Sequence, residues 1–155
     1  ATSPSPTGTG TSTTSTSSTT EPVTTTTGDA SGSEGTAAPV LFEIASIAGV
    51  SNGPTAPSVA DLPAARITAI STYHWNNATG ATPGTIGLRA EDGTMYGPFP
   101  TTGSPGQGGV PNASWTAITD FEVPAGRYTV VDSSPETWAW APDTGGRGMV
   151  TIHGR

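Results

Sequence analysis

The chain has 155 residues, of which 32% are apolar and 11% charged, and it carries a formal net charge of −7 at pH 7. Its five cationic side chains are all arginine, so there is no basic stripe for phosphate contacts; a nucleic-acid partner is excluded, and an anionic membrane surface is disfavoured. No run of about 18 apolar residues exists to span a bilayer, and the absence of cysteine removes disulfides, thiol nucleophiles and Cys-based metal sites together.

Two different polymers share the chain. Residues 1–38 contain 22 Ser or Thr, 5 Gly and 3 Pro, with only Ala1, Val23, Ala30, Ala37 and Ala38 apolar. Such a segment cannot bury enough surface to offset its ordering entropy. It reads as a stalk or linker of the kind found, often O-glycosylated, in secreted and surface proteins, with Thr13, Thr14, Thr19, Thr20, Thr24 and Thr25 as candidate acceptors. The opening Ala1-Thr2-Ser3-Pro4, without Met or an apolar stretch, is expected of a mature chain after signal removal. Residues 39–155 hold every aromatic, enough for one domain with a core and too little for two.

Taken in order, the elements of that domain are short. Val40 to Ala48 is rich in branched residues and ends at Gly49, which predicts a largely buried strand. Residues 49–65, with Pro54, Pro57 and Pro63, predict a loop. A β-prone run follows from Arg66 to Trp75. Thr85 to Arg89 forms the next strand, with Glu91-Asp92-Gly93 turning the chain into Thr94 to Gly97. A loop rich in Gly and Pro spans 97–113. Ser114 to Ile118 predicts a strand that resumes, after a break, at Phe121 to Val123. Pro124-Ala125-Gly126 is a turn, and Arg127 to Asp132 alternates most clearly of all. A second long loop, 133–146, precedes a closing strand from Gly148 to His153. With no helical period anywhere, six to eight short antiparallel strands predict an all-β domain, a single sandwich or jelly-roll-like fold.

The chemistry-bearing residues are few. Gly49-Val50-Ser51-Asn52-Gly53 fits the G-x-S-x-G pattern of a nucleophile elbow, and Asp132 and His153 lie downstream as an acid and a base. The elbow needs a helix after the serine, however, and Pro54 and Pro57 stand there, so the stretch reads as a loop and a small hydrolase is only a remote alternative. His74 and His153, the only histidines, are 79 positions apart, unlike the close ligand pairs of zinc sites. Asp132, Glu136 and Asp143 offer hard oxygen ligands for calcium, set against the plainer expectation that Asp132 and Ser133 cap a turn.

Tryptophan is the stronger signal. Trp138-Ala139-Trp140 places two indoles on one side of an extended stretch, and with Tyr73 they form candidate stacking platforms for sugar rings. One of Trp115 and Trp138 is expected in the core, and Trp140, beside Ala141-Pro142-Asp143, is expected to be exposed. The loop 143–148 contains Arg147, which is expected to tie it down. Asn77-Ala78-Thr79 and Asn112-Ala113-Ser114 have the form of N-glycosylation sequons.

Several segments together carry a resemblance. They are Tyr73-His74-Trp75-Asn76, Gly106-Gln107-Gly108-Gly109-Val110-Pro111-Asn112, Pro124-Ala125-Gly126-Arg127-Tyr128-Thr129-Val130 and Asp132-Ser133-Ser134-Pro135-Glu136-Thr137-Trp138. Over residues 66–155 the chain resembles an uncharacterised β-domain family of exported bacterial proteins. That family has no established activity, so the resemblance implies an exported β-module and adds no catalytic residue. The expectation is a non-catalytic extracellular or cell-surface structural or interaction module, self-associating into a filament or sheath through its N-terminal tract. The alternative is a carbohydrate-binding module that recognises cell-surface glycans.

Overall fold

The structure, a computed structural model, describes residues 37–155. The Ser/Thr-rich tract and its six candidate acceptor threonines lie outside the described residues, apart from Ala37 and Ala38. The described residues belong to one compact unit. Eleven strands cross the described residues: β1 Val40–Ile44, β2 Ser51–Asn52, β3 Val59–Leu62, β4 Ala65–Tyr73, β5 Thr85–Ala90, β6 Met95–Pro100, β7 Thr102–Ser104, β8 Ser114–Val123, β9 Gly126–Asp132, β10 Ala139–Trp140 and β11 Val150–Gly154.

The described residues are all-β, in three antiparallel sheets. The largest has the order β1-β11-β4-β8-β7, the second the order β3-β9-β5-β6, and β10 pairs with β2 alone. Among the described residues no helix is long and apolar enough to cross a membrane.

The count exceeds the expected six to eight strands for local reasons. β3 lies between Pro57 and Pro63, which made the whole stretch look like a loop; within it Ala60 and Leu62 face inward while Asp61 faces out. β7 is only three residues long and hides in a glycine-rich segment. β8 is continuous where a break was expected. Its odd-numbered residues from Trp115 to Val123 point inward, but the inward Thr119 is polar and the outward Ile118 is 80% exposed, so the alternation is inverted at the middle. The Thr119 hydroxyl donates to the Ile67 carbonyl at 3.1 Å, beside the register shift between Ile67 and Ala69. β6 tolerates Pro98 and Pro100 because it is the outer strand of its sheet.

Both larger sheets contribute to a single buried cluster. Ile67, Ile70, Trp115 and Ile152 come from the first, and Ile86, Leu88, Tyr128 and Val130 from the second. An aromatic seam joins β6 to β8, with Phe121 stacked on Tyr96 at 5.3 Å and on Phe99 at 5.0 Å between ring centroids. The outer face of the five-stranded sheet is polar across its middle: Glu43, Thr151, Ser71, Thr116 and Thr102 stand in register on five successive strands.

Candidate ligand-binding groove

The end of β4 sets two environments back to back. Strand alternation turns Thr72 inward and Tyr73 outward; just past the strand end His74 is buried, and Trp75, which opens a 3-10 turn, is half-buried at the groove. His74 is fully buried and stacks on Trp115, with ring centroids 3.7 Å apart. Its Nε2 lies 3.1 Å from Asp132 Oδ2 and 3.0 Å from Thr72 Oγ1, and the Thr72 hydroxyl donates to the same carboxylate oxygen at 3.0 Å. Its Nδ1 meets Thr137 Oγ1 at 2.9 Å. A carboxylate can only accept, so Nε2 carries a proton and donates to Asp132. The other carboxylate oxygen accepts the Ser134 N–H at 2.8 Å.

This Thr–His–Asp cluster has the residue types of an acyl-transfer site and none of its access. The side chains of both His74 and Asp132 have zero exposure, and the carboxylate sits on Nε2 with the threonine it shares, so no free hydroxyl is activated towards solvent. It is a satisfied polar knot that ties β4, β9 and the 133–138 segment together.

The outward side opens a groove of about 520 Å³ on the outer face of the five-stranded sheet. Its floor is made by Ser71, Ser114 and Thr151, and Tyr73 and Trp75 form one flank. The segment from Ala45 to Val50 and the turn at Gln107 close the sides. The Tyr73 hydroxyl accepts the Gln107 N–H at 3.2 Å, and Gly106 lies so close to the ring that a Cβ there would fall 2.7 Å from that oxygen. Glycine is required at 106 so that this turn can rest on the tyrosine. Among the described residues no carboxylate, imidazole, amine or guanidinium lines the groove. Two exposed carboxylates border it: Asp143 accepts the Ser46 hydroxyl at 2.8 Å, and Glu43 accepts the Thr151 hydroxyl at 3.3 Å. The paired cations lie elsewhere. Arg66 binds Asp120, whose carboxyl it holds below the usual range mainly through that hydrogen bond, and Arg127 binds Asp61 at 2.9 Å.

Of the three residues expected as stacking platforms, the groove contains one. Tyr73 lines it. Trp138 is only 5% exposed, and its indole N–H donates to the Met149 carbonyl at 2.7 Å; it is a core residue, and burial removes it as a stacking surface. Trp140 is half-buried rather than exposed, sits on β10 opposite Ser51, and directs its N–H to the Asn52 carbonyl at 3.4 Å, away from the groove. The calcium trio is not assembled: Asp132 is buried in the histidine knot, and Glu136 and Asp143 are exposed. Among the described residues no group of three or more His, Cys, Asp or Glu could hold a metal ion. The expected turn-capping by Asp132 is present in its bond to Ser134 N–H, and Ser133 Oγ accepts the Thr85 N–H at 2.9 Å.

Ser51 of the elbow-like pattern is exposed on the two-residue β2, with no helix after it. His153 lies on β11 opposite Ala69 and contacts the Ala38 carbonyl, not an acid. Arg147 does tie its loop, donating from Nε to the Thr144 carbonyl at 2.9 Å. Asn77 and Asn112 are both exposed, with positive φ.

Trp75, Gln107 and Ser114 are the groove residues that sequence reading passed over. Trp75 lies past the end of β4, at the start of a 3-10 turn, so strand alternation in the sequence does not place it beside Tyr73. Comparison with protein-family models, curated proteins and solved structures gives no match.

Proposed function

We propose that this chain is a non-catalytic extracellular or cell-surface interaction module, a β-sandwich of the two larger sheets, that binds carbohydrate in the groove on its outer sheet face. The observation that carries this reading is the lining of the groove. It combines two aromatic side chains with hydroxyls and an amide, a set that stacks on sugar rings and orients their hydroxyls, and it offers no acid or base to act on them. Among the described residues the only buried acid–base pair, His74 and Asp132, lies in the interior and not in the groove lining. The exported β-module that the sequence resembles is a fitting setting for glycan recognition.

The test is retention of the intact protein on soluble and insoluble polysaccharides, followed by tryptophan emission. Retention with a blue shift or quench supports the reading; no retention on any glycan overturns it.

A second reading, self-association, is favoured by one observation. Val40, His153, Ala69 and Ile118 stand in register across the outer face of the same sheet, with Val40 51% and Ile118 80% exposed. Sedimentation of the intact protein over a range of concentrations separates the two.

A further inference from the structure

We infer that the groove selects an uncharged glycan chain and that Trp75 is its principal contact, serving as both stacking face and hydrogen-bond donor. This deepens the carbohydrate reading above and rests on it. Three observations converge on Trp75.

The first is a hydrogen-bond account of the four tryptophans. The indole N–H of Trp115 donates to the Asn112 and Ala81 carbonyls, that of Trp138 to Met149 and that of Trp140 to Asn52. Among the described residues Trp75 alone has no acceptor for its N–H, although it is half-buried in the groove wall. That N–H is not one of the buried unpaired atoms, so on a residue that lines the groove it is open to an acceptor from solvent or a ligand. The Gln107 amide and the Ser114 hydroxyl also make no side-chain hydrogen bond among the described residues, so a donor, an amide and a hydroxyl border one space.

The second is strain. Directly after Trp75, three consecutive non-glycine residues adopt left-handed backbone: Asn76 at φ 44°, Asn77 at 53° and Ala78 at 66°. Left-handed helix costs roughly 1–2 kcal/mol per residue, least for asparagine. The turn is clasped by Asn76 Nδ2–H donating to the Gly80 carbonyl at 2.8 Å and by Gly80 N–H donating to the Trp75 carbonyl at 3.2 Å. Gly80 in turn is pressed on Pro111, where a Cβ would fall 1.7 Å from the carbonyl oxygen. An ordinary right-handed turn would carry the chain away with less strain. This one fixes the backbone on which the indole is mounted, and strain of this kind collects at ligand clamps.

The third is charge. Among the described residues the lining is uncharged, Glu43 and Asp143 border it, and the chain carries −7 overall, so an anionic sugar would meet repulsion with no cation in the lining to offset it. A cationic sugar would find no carboxylate in the lining to pair with, because Glu43 and Asp143 are exposed and water-screened and reach it only across Thr151 and Ser46.

Affinity electrophoresis of the full chain tests this, in gels containing a neutral soluble β-glucan, a neutral galactomannan, polygalacturonate or chitosan oligomers, each at low and high salt. The expected result is retardation by a neutral polymer, unchanged by salt, and none by the two charged ones. Trp75→Ala should weaken retardation by about tenfold or more, consistent with loss of a stacking aromatic. Trp75→Phe, which keeps a ring and loses the donor, should fall between, and Trp140→Phe should match the parent. Ala78→Gly, which relieves strain without touching the groove lining, serves as the folding control and should unfold at a higher temperature. If no polymer retards the protein, the carbohydrate reading itself fails. If polygalacturonate or chitosan retards it as strongly as the neutral polymers, or if Trp75→Ala binds as the parent does while its thermal midpoint is unchanged, the carbohydrate reading stands and this inference is overturned.

Discussion

At the scale of single residues, the most consequential side chain is Asp132. One oxygen receives both the His74 Nε2–H and the Thr72 hydroxyl, and the other receives the Ser134 N–H. Asp132→Ala therefore strands three buried or half-buried donors at once. An orphaned buried donor costs about 1–3 kcal/mol, more where charge is involved. The variant should lose about 3 kcal/mol or more in urea unfolding. Asp132→Asn, which keeps a carbonyl acceptor, should lose less; equal losses would mean that the negative charge, not the acceptor, matters. None of this was legible in the sequence. His74 and Asp132 are 58 positions apart, and only the packing of the sheet that holds β4 against the sheet that holds β9, beside Trp115, brings them to 3.1 Å. Tyr73 was legible as a surface aromatic. Trp75 was not singled out, because the Trp138-Ala139-Trp140 repeat was the louder signal.

At the scale of elements, legibility followed burial pattern. β9 alternates between buried Tyr128, Val130 and Asp132 and their more exposed neighbours, and its pattern identified it from sequence alone. β3 and β7 were lost for the opposite reason: their residues are small or flanked by proline, and they exist because a neighbouring strand offers backbone partners. Pairing is a tertiary fact, so propensity cannot report it. The 139–149 segment gives a test of packing. Gly148 lies against the Trp138 indole, and a Cβ there would fall 2.3 Å from a ring carbon. Gly148→Ala must push the indole off its bond to Met149, and overpacking of this kind costs about 1–3 kcal/mol. A lower denaturation midpoint with a changed near-ultraviolet tryptophan spectrum is the expected result. A native spectrum with a parental midpoint would mean that the ring moves freely.

For the whole molecule, stability should depend on pH at the alkaline end through Tyr128. This ring is 1% exposed at the centre of the second sheet, its hydroxyl donating to the Pro124 carbonyl at 2.6 Å, and burial raises its pKa above the ordinary 10.0. The folded state holds the phenolic proton more tightly than the unfolded chain. The associated stability is thus fully present below pH 10 and is lost as pH rises through the folded-state value. Tyr128→Phe should unfold less steeply with pH above 10 than the parent. Parallel profiles would show that Tyr128 does not set this limit.

One consequence follows from the placement of His74. Its Nε2 proton is enclosed between Asp132 and Thr72, on a ring with no exposed surface, where water cannot reach it while the sheets are closed. That proton exchanges when the packing around it opens, by release of the 133–138 segment or by parting of the layers, so its lifetime is a clock for opening of the domain interior.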